Sequence, residues 1–494
     1  MMNADPSRRF VYTLLTVSTL ALVSAKIARM ELVFEPSMYR VEGDTSPSAP
    51  PRDWPKTRPT PMPTFSSNDR SRWCTVRTLV DEGTFIIGHR DLENGNSEKY
   101  HDRGIVFEDG WQTVDKVLNP RTLDYYSTKP PLLTLLAAAE YWLLKRTFGW
   151  TITGDPNKVV KTIVFTFNVI PLALYLLMLQ RVLERMAKTE WARLFLFTAA
   201  CLGTYITTFE VTLNNHTPAA VTALAAIYPF LMSDGMGDRL YGRIPLPALP
   251  SGSMLIASGI LAALTACLEL PALAFLAALA VAIALRSPSR ALLFLVPALL
   301  VFSSEFWLNK IAVGEWTPLY SKVNSEWYHY PGSHWLKTSG IDAARFHESV
   351  SAYIFNCLIG HHGLFSLSPI WLLSFAGMIG QTIASFRKNA ASTAATFFFP
   401  LTLFVSLVVI DFYFTTTSNY GGWTSGLRWL FWLTPLWLLA AQPAADRLAA
   451  ATWGRCVGYA ALAVSVFSAS FPDWNPWRHP WIYRLFESQG WISY

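Results

Sequence analysis

The chain has 494 residues, of which 52% are hydrophobic and 15% are charged. Soluble domains carry about 25% charged residues, so this composition excludes an ordinary soluble protein and indicates a membrane protein. The formal charge of +6 does not indicate nucleic-acid binding, because Lys and Arg lie mostly between apolar runs, where a membrane protein places them. The five cysteines are scattered and predict neither a metal site nor a disulfide framework.

The N-terminal segment has two arginines followed by an apolar run from Phe10 to about Ala25. The run continues to Lys26 without a strong small-residue cleavage site, which favours an uncleaved membrane anchor over a cleaved signal peptide. In either case the residues that follow are expected outside the cytoplasm.

Apolar runs of about 20 residues, the length that crosses a bilayer, recur along most of the chain. The predicted spans are about 10–28, 159–180, 192–209, 216–233, 253–268, 271–286, 291–308, 366–386, 395–413, 428–445 and 456–471. The sequence therefore predicts an all-α polytopic membrane protein with about eleven transmembrane helices, forming a single membrane domain over residues 1–494.

The basic connectors set the predicted orientation. If the N-terminus is cytoplasmic, the connector with four basic residues between 181 and 193 and the later basic connectors all fall inside, as the positive-inside rule requires. This parity holds only if the apolar stretch from Pro131 to Leu144 does not cross the membrane. Because that stretch is short, starts at a double proline and contains Glu140, we expect a helix in the outer leaflet.

Two long extracytoplasmic loops follow from this topology, at about 29–158, which includes the outer-leaflet helix, and at about 309–365. Residues 46–64 are rich in proline and predict an extended spacer. The rest of the first loop is expected to be partly helical. Loops of this length are usually functional or disordered, and their Trp and Tyr content argues against disorder.

The first candidate for chemistry is Asp69, near the start of a predicted helix that runs through Leu79. An aspartate at such a position commonly caps a helix. Alternatively, it is a carboxylate just outside the membrane that accepts a proton from an acceptor hydroxyl.

Two basic residues are candidates for binding a phosphate at headgroup level. Lys129 directly precedes a double proline and the outer-leaflet helix, and Arg428 follows three glycines at the start of a predicted span. Arginine suits phosphate recognition, although either side chain could merely extend its charged end to the interface. Tyr420, at the start of the glycine-containing segment, is a further candidate for substrate binding.

Other polar residues interrupt the apolar pattern on the predicted outer side. Asn215 and His216 lie between two spans, as helix caps or as ligands of a sugar, a phosphate or a metal. Glu269 separates two spans and is either functional or simply solvated. His361 and His362 precede a span, where they have an interfacial role or hydrogen-bond a phosphate.

These segments, in this order, resemble the motifs of GT-C glycosyltransferases of the aminoarabinose-transferase and protein-mannosyltransferase type. Asp69, Arg72 and Trp73 match the Asp, Arg and aromatic positions of that family's acidic first-loop motif, whereas Arg70 replaces its Glu. Two later motifs also have counterparts. Lys-Pro-Pro-Leu is matched by residues 129–132, and the Tyr-Gly-Gly through Gly-Pro-Arg-Tyr motif resembles residues 420–429, where Leu427 and Trp429 stand at its Pro and Tyr positions. The family often has an Asp in the second outer loop, where this chain has Asn214-Asn215-His216, which disfavours a metal-dependent mechanism.

The resemblance implies an inverting transfer of a hexosyl or pentosyl group from a polyprenyl-phosphate-linked sugar to a lipid, glycan or protein acceptor. In this scheme Asp69 is the general base, and Lys129 and Arg428 hold the donor phosphate. The candidate substrate-binding residues are Arg72, Asn215, His216, Glu269, His361, His362 and Tyr420. No metal ligands and no cofactor are predicted, with a divalent metal left open.

The expected location is the inner or plasma membrane, with many spans, a cytoplasmic N-terminus, an extracytoplasmic active site and membrane lipids as surroundings. Two other functions are open at this stage. A transporter or lipid flippase would need charged residues in mid-span and internal repeats, and the sequence has few such charges and no evident repeat. A polymerase or ligase of surface polysaccharide would lack the Asp69 chemistry.

Overall fold

The computed structural model describes residues 5–30, 39–40, 52–53, 64, 66–93, 95–108, 110–235, 237–336, 348–387, 396–417, 419–473 and 475–492. Most of the predicted spacer at 46–64 therefore lies outside the described residues.

Helices make up most of this structure. In chain order they are α1 Pro6–Arg29, α2 Ser67–Asp81, α3 Pro131–Phe148, α4 Pro156–Val164, α5 Ile170–Met186, α6 Glu190–Leu202, α7 Tyr205–Phe209, α8 His216–Leu231, α9 Gly252–Leu268, α10 Leu273–Arg286, α11 Pro288–Val313, α12 Val350–Leu358, α13 Leu364–Leu367, α14 Ile370–Ser385, α15 Phe398–Thr416, α16 Thr434–Ala440, α17 Gln442–Leu448, α18 Thr452–Ser470 and α19 Trp481–Ser488. A π-helical turn at Phe165–Val169 joins α4 to α5, and a 3₁₀ helix at Arg428–Leu433 leads into α16.

A helix occupies each segment that the sequence predicts as a span. Within the described part of the chain, five apolar segments are long enough to cross a membrane, namely Pro6–Arg29, Pro156–Met186, Glu190–Phe209, Pro288–Val313 and Phe398–Thr416. Shorter apolar helices lie at Gly252–Leu268, Leu270–Arg286 and Ile370–Ser385. The membrane-protein prediction is therefore confirmed, whereas the count of about eleven crossings stays a prediction.

Small residues allow the helices of the bundle to pack closely. A Cβ atom on Gly259 of α9 would collide with the carbonyl of Phe294 in α11, and one on Gly377 of α14 would collide with the carbonyl of Ala440 in α16. Helices in membranes associate through such close backbone approaches because lipid gives them little hydrophobic driving force.

The connectors that the sequence places on the cytoplasmic side meet at one end of this bundle. Arg8 of α1 forms an ion pair of 2.6 Å with Glu184 of α5. Arg185 bonds to Asp234, 2.8 Å away, beyond the end of α8. Chain segments far apart in sequence thus share one charged end of the bundle, and the side of the membrane that this end faces stays a prediction.

The first long loop contains β-structure, so the expectation of an all-α chain is wrong there. Its four-stranded antiparallel sheet has the order β4-β3-β6-β5, with β3 Gly88–Glu93, β4 Asn96–Arg103, β5 Lys116–Leu118 and β6 Asp124–Ser127. Two-stranded pairs form from β1 Tyr39–Arg40 with β2 Arg52–Asp53 and from β7 Asp238–Leu240 with β8 Ile244–Leu246.

Charged cross-strand pairs explain why the sequence does not reveal this sheet. Arg90 on β3 forms a 2.8 Å ion pair with Asp102 on β4, and its guanidinium lies 3.6 Å from the ring centre of Tyr100. Asp91 pairs with Arg103 at 2.6 Å. Because β3 and β4 carry charged side chains at many positions, they lack the alternating apolar pattern by which strands are recognised.

The stretch predicted as an outer-leaflet helix is helical, over Pro131–Phe148 as α3. Pro130 starts it, and Gly149, in the left-handed conformation with φ of 70°, ends it. Leu136, Trp142 and Leu143 are exposed on its surface, which suits a helix that contacts lipid. Its position in the outer leaflet stays a prediction.

The topology predicts different accessibility for two exposed positions. In a Cys456→Ser background, which removes the one exposed cysteine among the described residues, a membrane-impermeant thiol reagent added from outside should label Glu93→Cys. It should not label Lys188→Cys until the membrane is made permeable. Labelling of Lys188→Cys in intact cells would invert the topology and move the candidate site to the cytoplasmic face.

Candidate active site

Helix α2 begins with a reciprocal capping arrangement. Ser66 is the N-cap residue and its Oγ accepts the backbone N–H of Asp69 at 3.4 Å, while the same hydroxyl donates to Asp69 Oδ2 at 2.6 Å. Such an exchange between the cap residue and the third helical residue fixes the first turn. The capping role that the sequence left open for Asp69 therefore belongs to Ser66.

The two carboxylate oxygens of Asp69 have different surroundings. Oδ2 also accepts the indole N–H of Trp477 at 3.0 Å. Oδ1 is buried and has no hydrogen-bond partner among the described residues. Burial raises the pKa of Asp69 to about 7, although the bonds from Ser66 and Trp477 and the charges of Arg72 and Lys129 oppose this rise. Asp69 is thus a carboxyl group that gains and loses a proton near neutral pH.

Small hydroxyl residues join α2 to the sheet of the first loop. Ser67 Oγ lies 2.8 Å from Thr113 Oγ1, and Ser71 Oγ lies 2.6 Å from Ser127 Oγ. Positions four residues apart share one face of a helix, so this face of α2 contacts the segment before β5 through Ser67 and the residues just before Lys129 through Ser71.

Lys129, which lies just before α3, is paired with an acidic residue. Its ammonium donates to Asp115 Oδ1 at 2.8 Å. Burial lowers the pKa of Lys129 to about 8, with Asp115 opposing the change. Burial also acts to raise the pKa of Asp115, but the charges of Lys129, Arg428 and Arg72 outweigh it and lower that pKa. Asp115 is therefore ionised at neutral pH.

Arg72, one turn after Asp69, starts a chain of buried polar contacts. Its guanidinium donates to Asn68 Oδ1 at 2.5 Å and to Asn215 Oδ1 at 2.6 Å. The amide of Asn215 in turn donates to Glu269 Oε1 at 2.7 Å. Asn215 and Glu269 are thus joined to the acidic first-loop motif.

His216 continues the chain from Glu269 to Arg428. Its Nδ1 bonds to Glu269 Oε1, and its Nε2 lies 3.2 Å from Arg428 Nη1. Since arginine can only donate, Nε2 accepts and Nδ1–H donates to the carboxylate, which defines one neutral tautomer. Arg428 also donates from Nε to the carbonyl of Gly421 at 3.2 Å, and Gly421 has φ of 98°, which favours glycine.

These contacts bring three residues from distant parts of the sequence together. Lys129 acts electrostatically on Asp69, and Arg428 interacts with Asp69 and with Lys129. The ring of Trp477, which binds Asp69, lies 5.3 Å from the Arg428 guanidinium carbon. A carboxylate and two cations are thus assembled in one place, as the sequence hypothesis requires, although their roles toward substrate stay predictions.

His361, His362 and Tyr420 form an adjoining buried cluster. The two Nδ1 atoms lie 2.5 Å apart, and Tyr420 stacks on His362 with ring centres 4.8 Å apart. Burial lowers the pKa of His361 to about 4, so the ring is neutral at physiological pH. The carbonyl of Gly421 accepts a hydrogen bond from Arg428, and Gly421 directly follows Tyr420. The cluster therefore adjoins the backbone that binds the arginine.

Glu210, the remaining acidic residue of the second outer turn, lies apart from this network. Both of its carboxylate oxygens are buried and have no partner among the described residues. Burial raises the pKa of Glu210 well above its usual range and so favours the protonated form, which makes Glu210 a poor candidate for a base.

Two residues of the site were not predicted from the sequence. Asp115 stands in no recognisable motif, and only its pairing with Lys129 reveals it. Trp477 belongs to an aromatic-rich C-terminal segment, where tryptophans are common as interfacial anchors. The sequence contains no signal that separates Trp477 from its neighbours.

No protein-family model and no curated protein sequence matches this chain. The structure is similar to that of ArnT from Cupriavidus metallidurans bound to undecaprenyl phosphate, with a TM-score of 0.49 and 14% identity, over 91% of this chain and 63% of ArnT. It is also similar to the archaeal oligosaccharyltransferase AglB from Archaeoglobus fulgidus in complex with an inhibitory peptide and a dolichol-phosphate, with a TM-score of 0.46 and 12% identity, over 96% of this chain and 57% of AglB. This chain thus spans about three fifths of the length of each neighbour. Both neighbours have the GT-C fold, the type that the sequence motifs resemble.

Proposed function

We propose that this chain is a membrane glycosyltransferase that moves a sugar from a polyprenyl-phosphate-linked donor to an acceptor hydroxyl on the extracytoplasmic side. The observation that carries the proposal is the state of Asp69. Its carboxylate is buried, one oxygen is held by two donors, the other has no partner among the described residues, and two cations lie within electrostatic range. That arrangement suits proton abstraction beside a phosphate.

Lys129 and Arg428 bind the phosphate of the donor. A sugar linked to a polyprenyl phosphate leaves behind a phosphate with more negative charge than the donor carried. Cations fixed at that position stabilise the charge as it develops. The Lys129 ammonium has two donors beyond the one that binds Asp115, so it can bind a phosphate without releasing its partner.

Asp69 acts on the acceptor as the general base. The acceptor oxygen forms a bond to the anomeric carbon while the bond from that carbon to the phosphate oxygen breaks, with inversion. The acceptor proton passes to Asp69 Oδ1, and the polyprenyl phosphate leaves with the bonding electrons. The pKa of Asp69, about 7, is close to the value that best serves a general base at neutral pH.

Substitution of Asp69 separates catalysis from binding. Asp69→Asn keeps an oxygen that accepts from Ser66 and Trp477 but removes the basic group, so turnover should fall by roughly 10²–10⁴-fold while donor affinity changes little. Sugar release from a polyprenyl-phosphate donor and binding of the same donor should be measured on purified protein. Near-normal turnover would reject Asp69 as the base.

Substitution of Lys129, in contrast to substitution of Asp69, should weaken the binding of the donor. Lys129→Ala removes a charge that faces the donor phosphate and should weaken donor binding by roughly tenfold or more. Because it leaves Asp115 buried without its partner, the double variant Lys129→Met, Asp115→Asn serves as the matched control that removes both charges. Unchanged donor affinity in both variants would exclude Lys129 from phosphate binding.

The rate should follow a bell-shaped pH profile. Asp69 must be ionised, so kcat/KM should rise with pH up to about 7, and Lys129 must be protonated, so it should fall as pH rises through about 8. Lys129→Arg, which stays charged at alkaline pH, should remove the alkaline fall and keep the acid side. A flat profile in the unaltered protein between pH 5 and 9 would contradict both assignments.

A further inference from the structure

Trp477 lies where the proposed base and the proposed phosphate ligand meet. Its indole N–H donates to Asp69 Oδ2 at 3.0 Å, and its ring lies 5.3 Å from the guanidinium carbon of Arg428. The side chain is half-buried, and its ring also meets Phe209 edge-on at 5.4 Å. One side chain therefore contacts both charged partners of the site.

The backbone around Trp477 is fixed. The amide of Trp477 donates to Asn475 Oδ1 at 3.1 Å, and the amide of Ser425 donates to the carbonyl of Pro476 at 3.0 Å. His479, two residues later, stacks on Tyr483 with ring centres 4.0 Å apart. The segment is therefore anchored against the glycine-containing loop that precedes Arg428.

The two bonds to Oδ2 decide which carboxylate oxygen of Asp69 is left to accept a proton. Ser66 and Trp477 both donate to Oδ2, from opposite ends of the chain, and Oδ1 has no partner among the described residues. Without the indole N–H, Ser66 alone would hold the carboxylate, and one bond does not stop the group from rotating about its Cβ–Cγ bond.

We propose that Trp477 is a positioning residue of this glycosyltransferase. It orients Asp69 Oδ1 toward the acceptor hydroxyl. It also keeps Asp69 in a fixed position relative to Arg428, which holds the donor phosphate. This inference rests on the proposed function, and it adds the C-terminal segment to a site otherwise built from loops between helices. The acceptor it serves is any hydroxyl compound that reaches Oδ1.

The indole bond also adjusts the basicity of Asp69. A hydrogen bond to the ionised form favours ionisation, and the Trp477 bond opposes the effect of burial on the Asp69 pKa. The charged groups that face Asp69 are Arg72 on its own helix, Lys129 before α3 and Arg428 after the glycines. None of these is altered when the indole N–H is removed.

The variant Trp477→Phe tests the inference because it keeps an aromatic face for Arg428 and removes the N–H. The acid side of the kcat/KM profile should move up by about one pH unit, with donor affinity nearly unchanged. Trp477→Leu removes the ring as well, so it should add a loss of donor affinity. The matched control is Trp481→Phe, which deletes an equivalent N–H bond, 2.9 Å to Ser468 Oγ, in the same segment.

The outcomes separate this inference from the proposed function. If Asp69→Asn is inactive and the acid side of Trp477→Phe does not move, Trp477 is not a positioning residue and the base assignment stands. If Trp481→Phe moves the profile as much as Trp477→Phe does, the effect is structural and the inference fails. If Asp69→Asn keeps near-normal turnover, Asp69 is not the base and this inference fails with that assignment, whereas the glycosyltransferase function stands. If the unaltered protein transfers no sugar from a polyprenyl-phosphate donor, the proposed function itself fails.

Discussion

The structure of the site depends on neutralising charge that is removed from water. Charged side chains lie buried or half-buried around the start of α2, namely the cations Arg70, Arg72, Lys129 and Arg428 and the acidic residues Asp69, Asp115 and Glu269. Removing an ion from water costs several kcal/mol even after relaxation, so each must find opposite charge and hydrogen bonds. The chain from Arg72 through Asn215, Glu269 and His216 to Arg428 supplies such partners for the two arginines and for Glu269. Lys129 and Asp115 pair with each other.

The same constraint explains where the backbone departs from regular helix. Glu269 ends α9, Asn215 precedes α8, and Arg428 begins a 3₁₀ helix. Backbone at the ends of helices can turn polar side chains toward one another, which the interior of an apolar helix cannot do. In membrane proteins irregular backbone is tolerated where it is buried in protein or lines a cavity. The polar breaks between apolar helices are therefore where a site can be built.

The sequence predicts the helices well for a physical reason. Long apolar runs identify helices by length alone, and polar residues between such runs are few enough that Asp69, Lys129, Glu269 and Arg428 stand out. The sheet of the first loop could not be predicted, because its longest strands, β3 and β4, carry charged residues such as Arg90 and Asp102 in place of an alternating apolar pattern.

Asp115 and Trp477 could not be predicted for a different reason. Trp477 contacts Asp69 across 408 residues of sequence, Asp115 pairs with Lys129 14 residues further on, and neither lies in a local pattern. A tryptophan in a tail and an aspartate in a polar loop are the ordinary composition of such segments. Only the three-dimensional structure distinguishes Asp115 and Trp477, which contact Lys129 and Asp69, from neighbouring residues that do not.

The proposed reaction moves negative charge from one group of the site to another. A lipid phosphodiester carries one negative charge, and the phosphate monoester released from it carries between one and two. Asp69 loses its charge as it takes the acceptor proton. The negative charge lost at Asp69 therefore reappears on the phosphate beside Lys129 and Arg428, and the total charge of the buried site does not change. In surroundings that solvate ions poorly, moving charge between fixed partners is less costly than creating it.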